Sequence, residues 1–203
     1  IGSILTGSGN WQATLAPKVL TYSSGGDKAK QIRYESICEV REEPGVIWDR
    51  VTIKFDRDEL QMDGLSGALS KRFADDIKTR SSAALLSSIQ ANDDFLGFAT
   101  RSLDQLLDKP QYISSRDLDV WKKETQSRYG SAAESILKAL NNPLFPWTQM
   151  SSKQAPQLEL ISQAIKGDGT VVRKRNEAFV VSESREYEQF FNDVEQTPLT
   201  LEQ

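Results

Sequence analysis

The sequence predicts an α+β protein, in which a small antiparallel β-rich domain is closed by one helix and followed by an all-helical segment. Two observations predict this order. Short apolar runs separated by Gly, Pro and Ser turns fill residues 11–62, and this pattern is typical of half-buried antiparallel strands. Beyond residue 80, apolar residues recur at three- and four-residue steps, which is typical of amphipathic helices.

The β-rich part is predicted to consist of short strands and one closing helix. The predicted strands cover residues 11–15, 19–22, 32–34, 37–40, 46–55 and 60–62. Asp56-Arg-Asp-Glu59 between the last two is a hairpin signal. Ser66 is the expected N-cap of a helix with Leu69, Phe73 and Ile77 on one face. This arrangement describes a pleckstrin-homology-like (PH-like) barrel or sandwich.

The helical part follows Arg80. A helix begins at Leu85, continues or restarts at Phe95, and ends before Pro110. Ser114-x-x-Asp117 and Ser131-x-x-Glu134 are capping patterns for two further helices, and Pro156 starts another. The predicted organisation is a flexible lead-in or cloning remnant at 1–10, a β-rich PH-like domain at 11–80, a helical domain at 81–170, and a basic linker with an amphipathic helix at 171–203.

The composition argues against several classes of function. The chain has 203 residues, a formal charge of −4, one cysteine and no histidine. Without histidine it lacks the commonest general base and the usual zinc ligand. Cys38, predicted on a strand, cannot form an internal disulfide, which favours a reducing cytoplasm. No apolar run approaches the length that spans a bilayer, so no membrane partner is expected.

An independent active site is also not expected. Such a site would need a nucleophile beside a base or a converging pair of carboxylates. Asp75-Asp76 and Asp93-Asp94 are the paired aspartates of the chain. Neighbouring residues on a helix point about 100° apart, so neither pair converges by itself. We therefore expect no catalytic residue, no metal ligand and no cofactor within these residues.

The last stretch, residues 187–203, carries the order Tyr-Glu-Gln-Phe-Phe, then Val-Glu, then Pro-Leu-Thr-Leu-Glu-Gln. Apolar residues at Val180, Tyr187, Phe191 and Val194 predict an amphipathic helix that ends before Pro198. The order resembles the segment that enters the motor of superfamily 1 DNA helicases of the UvrD-like, helicase IV type, where a "y..FF..ve..PL...Q" run precedes the ATP-binding loop. The spacing from Trp48 to Gly64, "W..v.i.f....l.m.G", resembles the PH-like domain ahead of that motor.

The resemblance implies that this chain is the N-terminal accessory region of an ATP-dependent DNA helicase. It implies ATP and Mg²⁺ in the parent chain, single-stranded DNA as partner, and the helicase motor domains in cis. Gln203 takes the position of the family's Q-motif glutamine, whose amide reads adenine once the motor is attached. No G-x-x-x-x-G-K-[ST] loop occurs in these residues, and Ile1 is not an initiator methionine, so an excised fragment is expected.

Candidate DNA contacts come from local basic clusters, because an acidic chain does not attract DNA as a whole. The first cluster is Arg173, Lys174 and Arg175, and the second is Lys71, Arg72, Lys78 and Arg80 on and just beyond the closing helix. The segment also resembles an "R.N..f" run of the helicase family, in which Asn176 and Phe179 take the last two places. The apolar loop at 144–147 is interpreted as a plug between helices rather than as a place where Trp147 stacks on a base.

A second class of function is a non-catalytic protein-interaction module with a PH-like domain and no nucleic-acid role, which the acidic balance favours. Lipid binding is not expected, because Asp27 and Glu35 dilute the basic residues Lys28, Lys30 and Arg33. Salt separates the two classes. Phosphate contacts weaken steeply as salt rises, whereas docking on an apolar groove changes little.

Overall fold

The computed structural model describes residues 4–6, 11–25, 27–107, 112–166, 170–174 and 177–181. The chain is divided into two compact units. The first comprises residues 1–91 and 138–147, and the second comprises residues 92–137 and 148–203.

The first unit contains two antiparallel sheets and a long helix. One sheet has the strand order β1 (Ile4–Thr6), β2 (Trp11–Leu15), β3 (Val19–Ser24) and β4 (Lys30–Arg33). A 3₁₀ turn at Tyr34–Ser36 leads to the second sheet, formed by β5 (Ile37–Glu43), β6 (Asp49–Phe55) and β7 (Asp58–Leu65). Helix α1 (Gly67–Gln90) follows directly. Four strands, then three strands, then a closing helix form the PH-like arrangement that the sequence predicts.

Alternating apolar residues set the register of the second sheet. Val51 pairs with Met62 and Ile53 pairs with Leu60 across β6 and β7, and all four side chains are buried. Opposed apolar pairs of this kind are the unit by which a sheet is stabilised. The hairpin between these strands turns at Asp56, whose φ of 48° is in the left-handed region that short turns use.

Helix α1 closes the first unit through one face. Phe73 and Ile77 are buried in the same cluster as Tyr34 and Val51, and Leu69 packs against that cluster. The predicted shared face of this helix is therefore confirmed. The helix is longer than the sequence indicates, because it continues past Arg80 to Gln90 with Leu85 and Ile89 buried.

The second unit is mainly helical. Its elements are α2 (Asp93–Leu106), β8 (Tyr112–Ile113), α3 (Ser115–Leu140, of which the last three residues belong to the first unit), α4 (Gln154–Lys166), β9 (Thr170–Lys174) and β10 (Glu177–Val181). The Ser114 hydroxyl oxygen accepts a hydrogen bond from the Asp117 amide at 3.2 Å, so the predicted cap of α3 is present. The backbone leaves helical geometry at Tyr129 (φ −134°, ψ 23°), so α3 consists of two helices joined at a kink. This agrees with the predicted start of a new helix at Ser131 to within two residues.

Polar pairs fix the helices of the second unit to one another. The Trp121 indole N–H donates to the Ser102 hydroxyl at 2.8 Å, which ties α3 to α2. The Gln157 amide donates to the Thr100 hydroxyl at 2.7 Å, which ties α4 to α2. The Tyr129 ring packs on Phe95 and Phe98, with ring centres 5.7 and 5.0 Å away. Tyr129 lies at the kink of α3, so the kink places this ring against α2.

The loop at 144–147 packs on the first unit. Phe145 is buried and Leu144 packs against the core. The Asn142 amide donates to the Ile37 carbonyl, and the Ser82 hydroxyl donates to the Leu144 carbonyl, both at 2.9 Å. Leu144 and Phe145 thus pack within the first unit, beside β5 and α1, while Trp147 rests edge-on against Phe145 and is 38% exposed. A position between helices stays a prediction.

The chain after α4 differs from the sequence prediction. β9 pairs with both β8 and β10 in a small antiparallel sheet. The sequence predicted a basic linker at this point, after an all-helical domain. Val180 lies in β10, so the predicted amphipathic helix does not begin there, and residues 182–203 lie outside the described residues. The β-branched runs Val171-Val172 and Val180-Val181 explain the strands, because such residues favour extended backbone.

Two further expectations concern single features. Cys38 lies in β5 as predicted and is a free thiol. In the parts of the chain that the structure describes, every helix is too short or too polar to cross a bilayer.

Candidate interaction site

Three consecutive apolar side chains are exposed on the loop that joins β5 to β6. Val46 is fully exposed, Ile47 is 78% exposed and Trp48 is 53% exposed. A single exposed apolar residue is ordinary on a protein surface. A contiguous apolar patch is typical of a site of protein or membrane interaction. We refer to residues 44–48 as the apolar loop.

Gly45 makes the tight turn of the apolar loop possible. A Cβ atom at this position would lie 1.9 Å from the carbonyl oxygen of Trp48, a distance that no side chain tolerates. The Gly45 amide donates to Oδ1 of Asp49 at 3.1 Å. This bond and the close backbone approach fold the loop back on itself, and the side chains of residues 46–48 are exposed.

Ser70 on helix α1 holds both arms of the apolar loop. Its side chain is fully buried, and its Oγ lies 2.7 Å from Oε1 of Glu42 and 2.7 Å from Oδ2 of Asp49. The same Oγ lies 2.9 Å from the Gly67 carbonyl oxygen. A hydroxyl has one proton, so Ser70 donates to one of these three oxygens at a time. Glu42 is near the end of β5 and Asp49 begins β6, so these contacts connect both strand ends to the helix. We refer to Glu42, Asp49 and Ser70 as the serine clamp.

The serine clamp keeps Asp49 ionised. The hydrogen bond from Ser70 lowers the pKa of the Asp49 carboxyl, and the bond from the Gly45 amide lowers it further. Both donors favour the charged form because a carboxylate accepts more strongly than a carboxylic acid. The base of the apolar loop therefore carries a fixed negative charge at neutral pH.

The basic residues near the apolar loop are paired with acids. Nη1 of Arg50 lies 3.8 Å from Oε2 of Glu43, and its Nε donates to Asp63. Lys54 Nζ lies 3.1 Å from Oε2 of Glu39, which also accepts from Arg41. These pairs sit on the outer surface of the three-stranded sheet. With Glu42 and Asp49 added, acidic groups outnumber basic ones around the loop.

The predicted DNA contacts on α1 differ in their surroundings. Lys71 and Arg72 are exposed, but Asp75 and Asp76 follow one turn later on the same helix. Lys78 is half-buried. Arg80 makes contacts within the first unit. Its guanidinium donates to the Ala16 carbonyl at 3.3 Å and lies 5.9 Å from the centre of the Tyr34 ring.

The other predicted contact residues are described only in part. Arg173 and Lys174 lie in β9 and pair in register with Ala178 and Glu177 of β10. Arg175 and Gln203 lie outside the described residues, as does most of the segment on which the helicase resemblance depends. The roles of these residues in binding DNA and adenine stay predictions.

Two surface cavities are present among the described residues. One, of about 390 Å³, lies in the first unit beside Cys38, Arg57 and Lys138, and Lys138 is paired with Asp56 at 3.1 Å. The other, of about 300 Å³, lies in the second unit beside Trp121 and Val120. No group of three or more metal-ligating side chains occurs within the described ranges.

Comparison with known proteins shows a distant similarity to a solved structure. No protein-family model matches the sequence, and no curated protein matches it. The chain is similar to a PH-domain-containing bacterial protein from Exiguobacterium sibiricum 255-15 of known crystal structure, with 14% identity over 81% of this chain and 85% of that chain and a TM-score of 0.34. The PH-like arrangement of the first unit is defined by its strand order and its closing helix.

The sequence analysis missed the apolar loop. It placed residues 46–48 inside a strand over 46–55, because Val, Ile and Trp are strong strand formers. The structure begins β6 at Asp49 instead. The available signal was Pro44-Gly45, since proline and glycine are typical of turns.

We expect Gly45→Ala to lower the free energy of unfolding of the first unit by about 1–3 kcal/mol, because the added methyl overlaps the Trp48 carbonyl. Urea unfolding measures this. Gly97→Ala is the matched control, since a Cβ there meets only the Arg101 side chain at 3.8 Å or more. That change within a helix is expected to stabilise by up to about 1 kcal/mol. Equal stability of Gly45→Ala and the wild type would show that the turn is not formed as described.

The serine clamp predicts a pH dependence. The pKa of Asp49 is lowered in the folded state, so its stabilisation is fully present above its unfolded pKa of about 3.9 and is lost as pH falls through the folded pKa. Asp49→Asn should therefore be less stable than the wild type at pH 7, by a margin that narrows below about pH 4. Urea unfolding across this range measures the margin. A margin that stays constant down to the lowest pH would contradict the ionised clamp.

Proposed function

We propose that this chain is a non-catalytic protein-interaction module, whose PH-like unit docks a partner through the apolar loop. The observation that supports the proposal most is the exposure of Val46, Ile47 and Trp48 on a turn held by Gly45 and the serine clamp. Trp is among the residues most enriched at the energetic centres of protein interfaces. No feature of the described residues supports a chemical step.

The energetics favour a braced loop for this role. Burying a large apolar side chain yields about 1.5–3 kcal/mol, so three such residues offset a large part of the cost of association, which is about 4–15 kcal/mol. Ordering a flexible loop on binding would add to that cost. Because Asp49 and Ser70 already hold both arms of the apolar loop, less conformational entropy is lost when it docks.

The docking proposal is tested by removing the apolar side chains. The double variant Ile47→Ser, Trp48→Ser should lose at least nine-tenths of the protein captured by the immobilised chain from an extract of its own organism, since interface hot spots contribute about 2 kcal/mol or more each. Val120→Ser is the matched control, because Val120 is an exposed apolar residue of the second unit at 61%. Capture should persist from about 50 to 500 mM NaCl, as apolar docking is weakly screened.

Capture that is equal for the wild type and the double variant would refute docking through the apolar loop. Circular dichroism melting of each variant excludes unfolding as the cause of any loss. A loss with Val120→Ser that matches the loss with the double variant would instead mean general adhesion to exposed apolar surface.

The finer proposal is that this module is the N-terminal accessory region of an ATP-dependent DNA helicase. It is supported by the residue order over 187–203 and by the basic run at 173–175, and the structure describes only Arg173 and Lys174 of these. In such a chain the PH-like unit would bind a protein partner while the later segment joins the motor. The two roles use different parts of the sequence and are compatible.

DNA binding is tested with a fluorescent single-stranded oligothymidylate and the purified chain. Anisotropy titrations at several salt concentrations should give a log–log slope that reflects the number of phosphates neutralised. The double variant Arg173→Ala, Lys174→Ala should reduce the slope by about 0.7 for each phosphate that is no longer neutralised. Lys71→Ala, Arg72→Ala is the comparison for the second predicted cluster. Absence of binding at about 50 mM salt, where phosphate contacts are strongest, would contradict the DNA-binding role.

A further inference from the structure

The chemistry around the apolar loop indicates what kind of partner it fits, provided that the docking function proposed above holds. The loop is flanked in sequence by Glu42 and Glu43 on one side and Asp49 on the other. Glu42 and Glu43 are exposed, and Asp49 is half-buried at the foot of the loop. An apolar tip is therefore surrounded at its base by carboxylates.

The basic residues of β5 and β6 near the loop are already paired with acids. Arg50 is the nearest in sequence, and Glu43 and Asp63 both contact it. Arg41 and Lys54 both contact Glu39. Each of these basic side chains is paired with at least one acid, so they add no net positive charge to the loop. Lys71, next to Ser70 on α1, is one exposed cation against the three carboxylates of Glu42, Glu43 and Asp49, which leaves the rim net negative.

The negative rim argues against a lipid surface as the occupant. Loops and helices that insert into membranes combine apolar tips with Lys and Arg, because the cytoplasmic leaflet is negatively charged. Here the groups beside the tip would be repelled by anionic headgroups. A carboxylate brought into a headgroup layer without a cation would also lose hydration without gaining a partner.

We propose that the apolar loop inserts into an apolar pocket of a partner protein whose rim carries Lys or Arg side chains, which face Glu42, Glu43 and Asp49. The pocket takes Ile47 and Trp48 as anchors. The basic rim supplies charge complementarity, which raises the association rate and selects among partners that offer similar apolar pockets. Each carboxylate retains acceptor positions beyond those that Ser70, Gly45 and Arg50 occupy.

The test selects binders from a random library, so the partner itself need not be identified first. Random peptides displayed on phage are selected on the immobilised wild-type chain, with the Ile47→Ser, Trp48→Ser chain as a counter-selection. The consensus peptide is then synthesised and its affinity is measured. We expect recovered peptides to combine apolar residues with flanking Lys or Arg. We expect the double variant to bind the consensus peptide at least about thirtyfold more weakly, as for loss of hot-spot anchors.

Charge is tested with a pair of matched variants. Glu42→Gln, Glu43→Gln removes two carboxylates beside the apolar loop, and Asp58→Asn, Glu59→Gln removes two exposed carboxylates at the opposite end of the same sheet. The first should weaken the consensus peptide about tenfold at low salt and less at high salt. The second should leave the affinity within about twofold. Melting curves check that both variants remain folded.

Each other outcome overturns the inference in a distinguishable way. Peptides that depend on Ile47 and Trp48 but lack Lys and Arg, or that bind both charge variants equally, would overturn the basic rim and leave the docking function intact. Failure to recover peptides that distinguish the wild type from the double variant would overturn both. Co-sedimentation with vesicles of phosphatidylcholine and phosphatidylserine that is lost in the double variant would assign the apolar loop to a membrane.

Discussion

The contact between Ser70 and the two carboxylates of Glu42 and Asp49 is the interaction on which the proposed site depends. Ser70 is fully buried in the first turns of α1, and the helix itself is fixed because Phe73 and Ile77 are part of the core. The same helix that closes the β-rich unit therefore positions the apolar loop. The Ser70 hydroxyl thus connects the surface loop to the helix that packs in the core, and the Gly45–Asp49 bond closes the turn of the loop.

The loop and the sheet show how a core can support an exposed apolar tip. Val51 and Ile53 of β6 are completely buried, whereas Ile47, four residues before Val51, is 78% exposed. The transition takes place at Asp49, whose carboxylate accepts from the Gly45 amide and from Ser70. β6 begins at Asp49, and residues 46–48 before it form a turn instead of continuing the strand. Apolar residues that favour a strand are therefore exposed to solvent. Keeping them exposed is unfavourable in the free chain, which is why an interaction accounts for them best.

Much of the fold was predictable from residue patterns, and the site was not. Alternating residues in β6 and β7 and the face of α1 follow from the periodicity of Val51, Ile53, Phe73 and Ile77. Local propensity fails at residues 46–48 because turn geometry at Gly45 overrides a preference for strand. It fails again after α4, where charged residues within 171–175 suggested a linker and the pairing of β9 with β8 and β10 decided the structure. Arg80 looked like a free cation because sequence spacing does not reveal its bond to Ala16.

The most direct measurement is the solvent accessibility of individual methyl groups in the free chain. A neutral gadolinium agent added during NMR relaxation measurements enhances the relaxation of exposed methyls. The account predicts strong enhancement at Val46 and Ile47 and little at Val51 and Ile53, which are buried in the adjacent strand. Equal protection of all four would mean that the loop is folded into the sheet or covered by the chain itself, and the proposed docking surface would not exist.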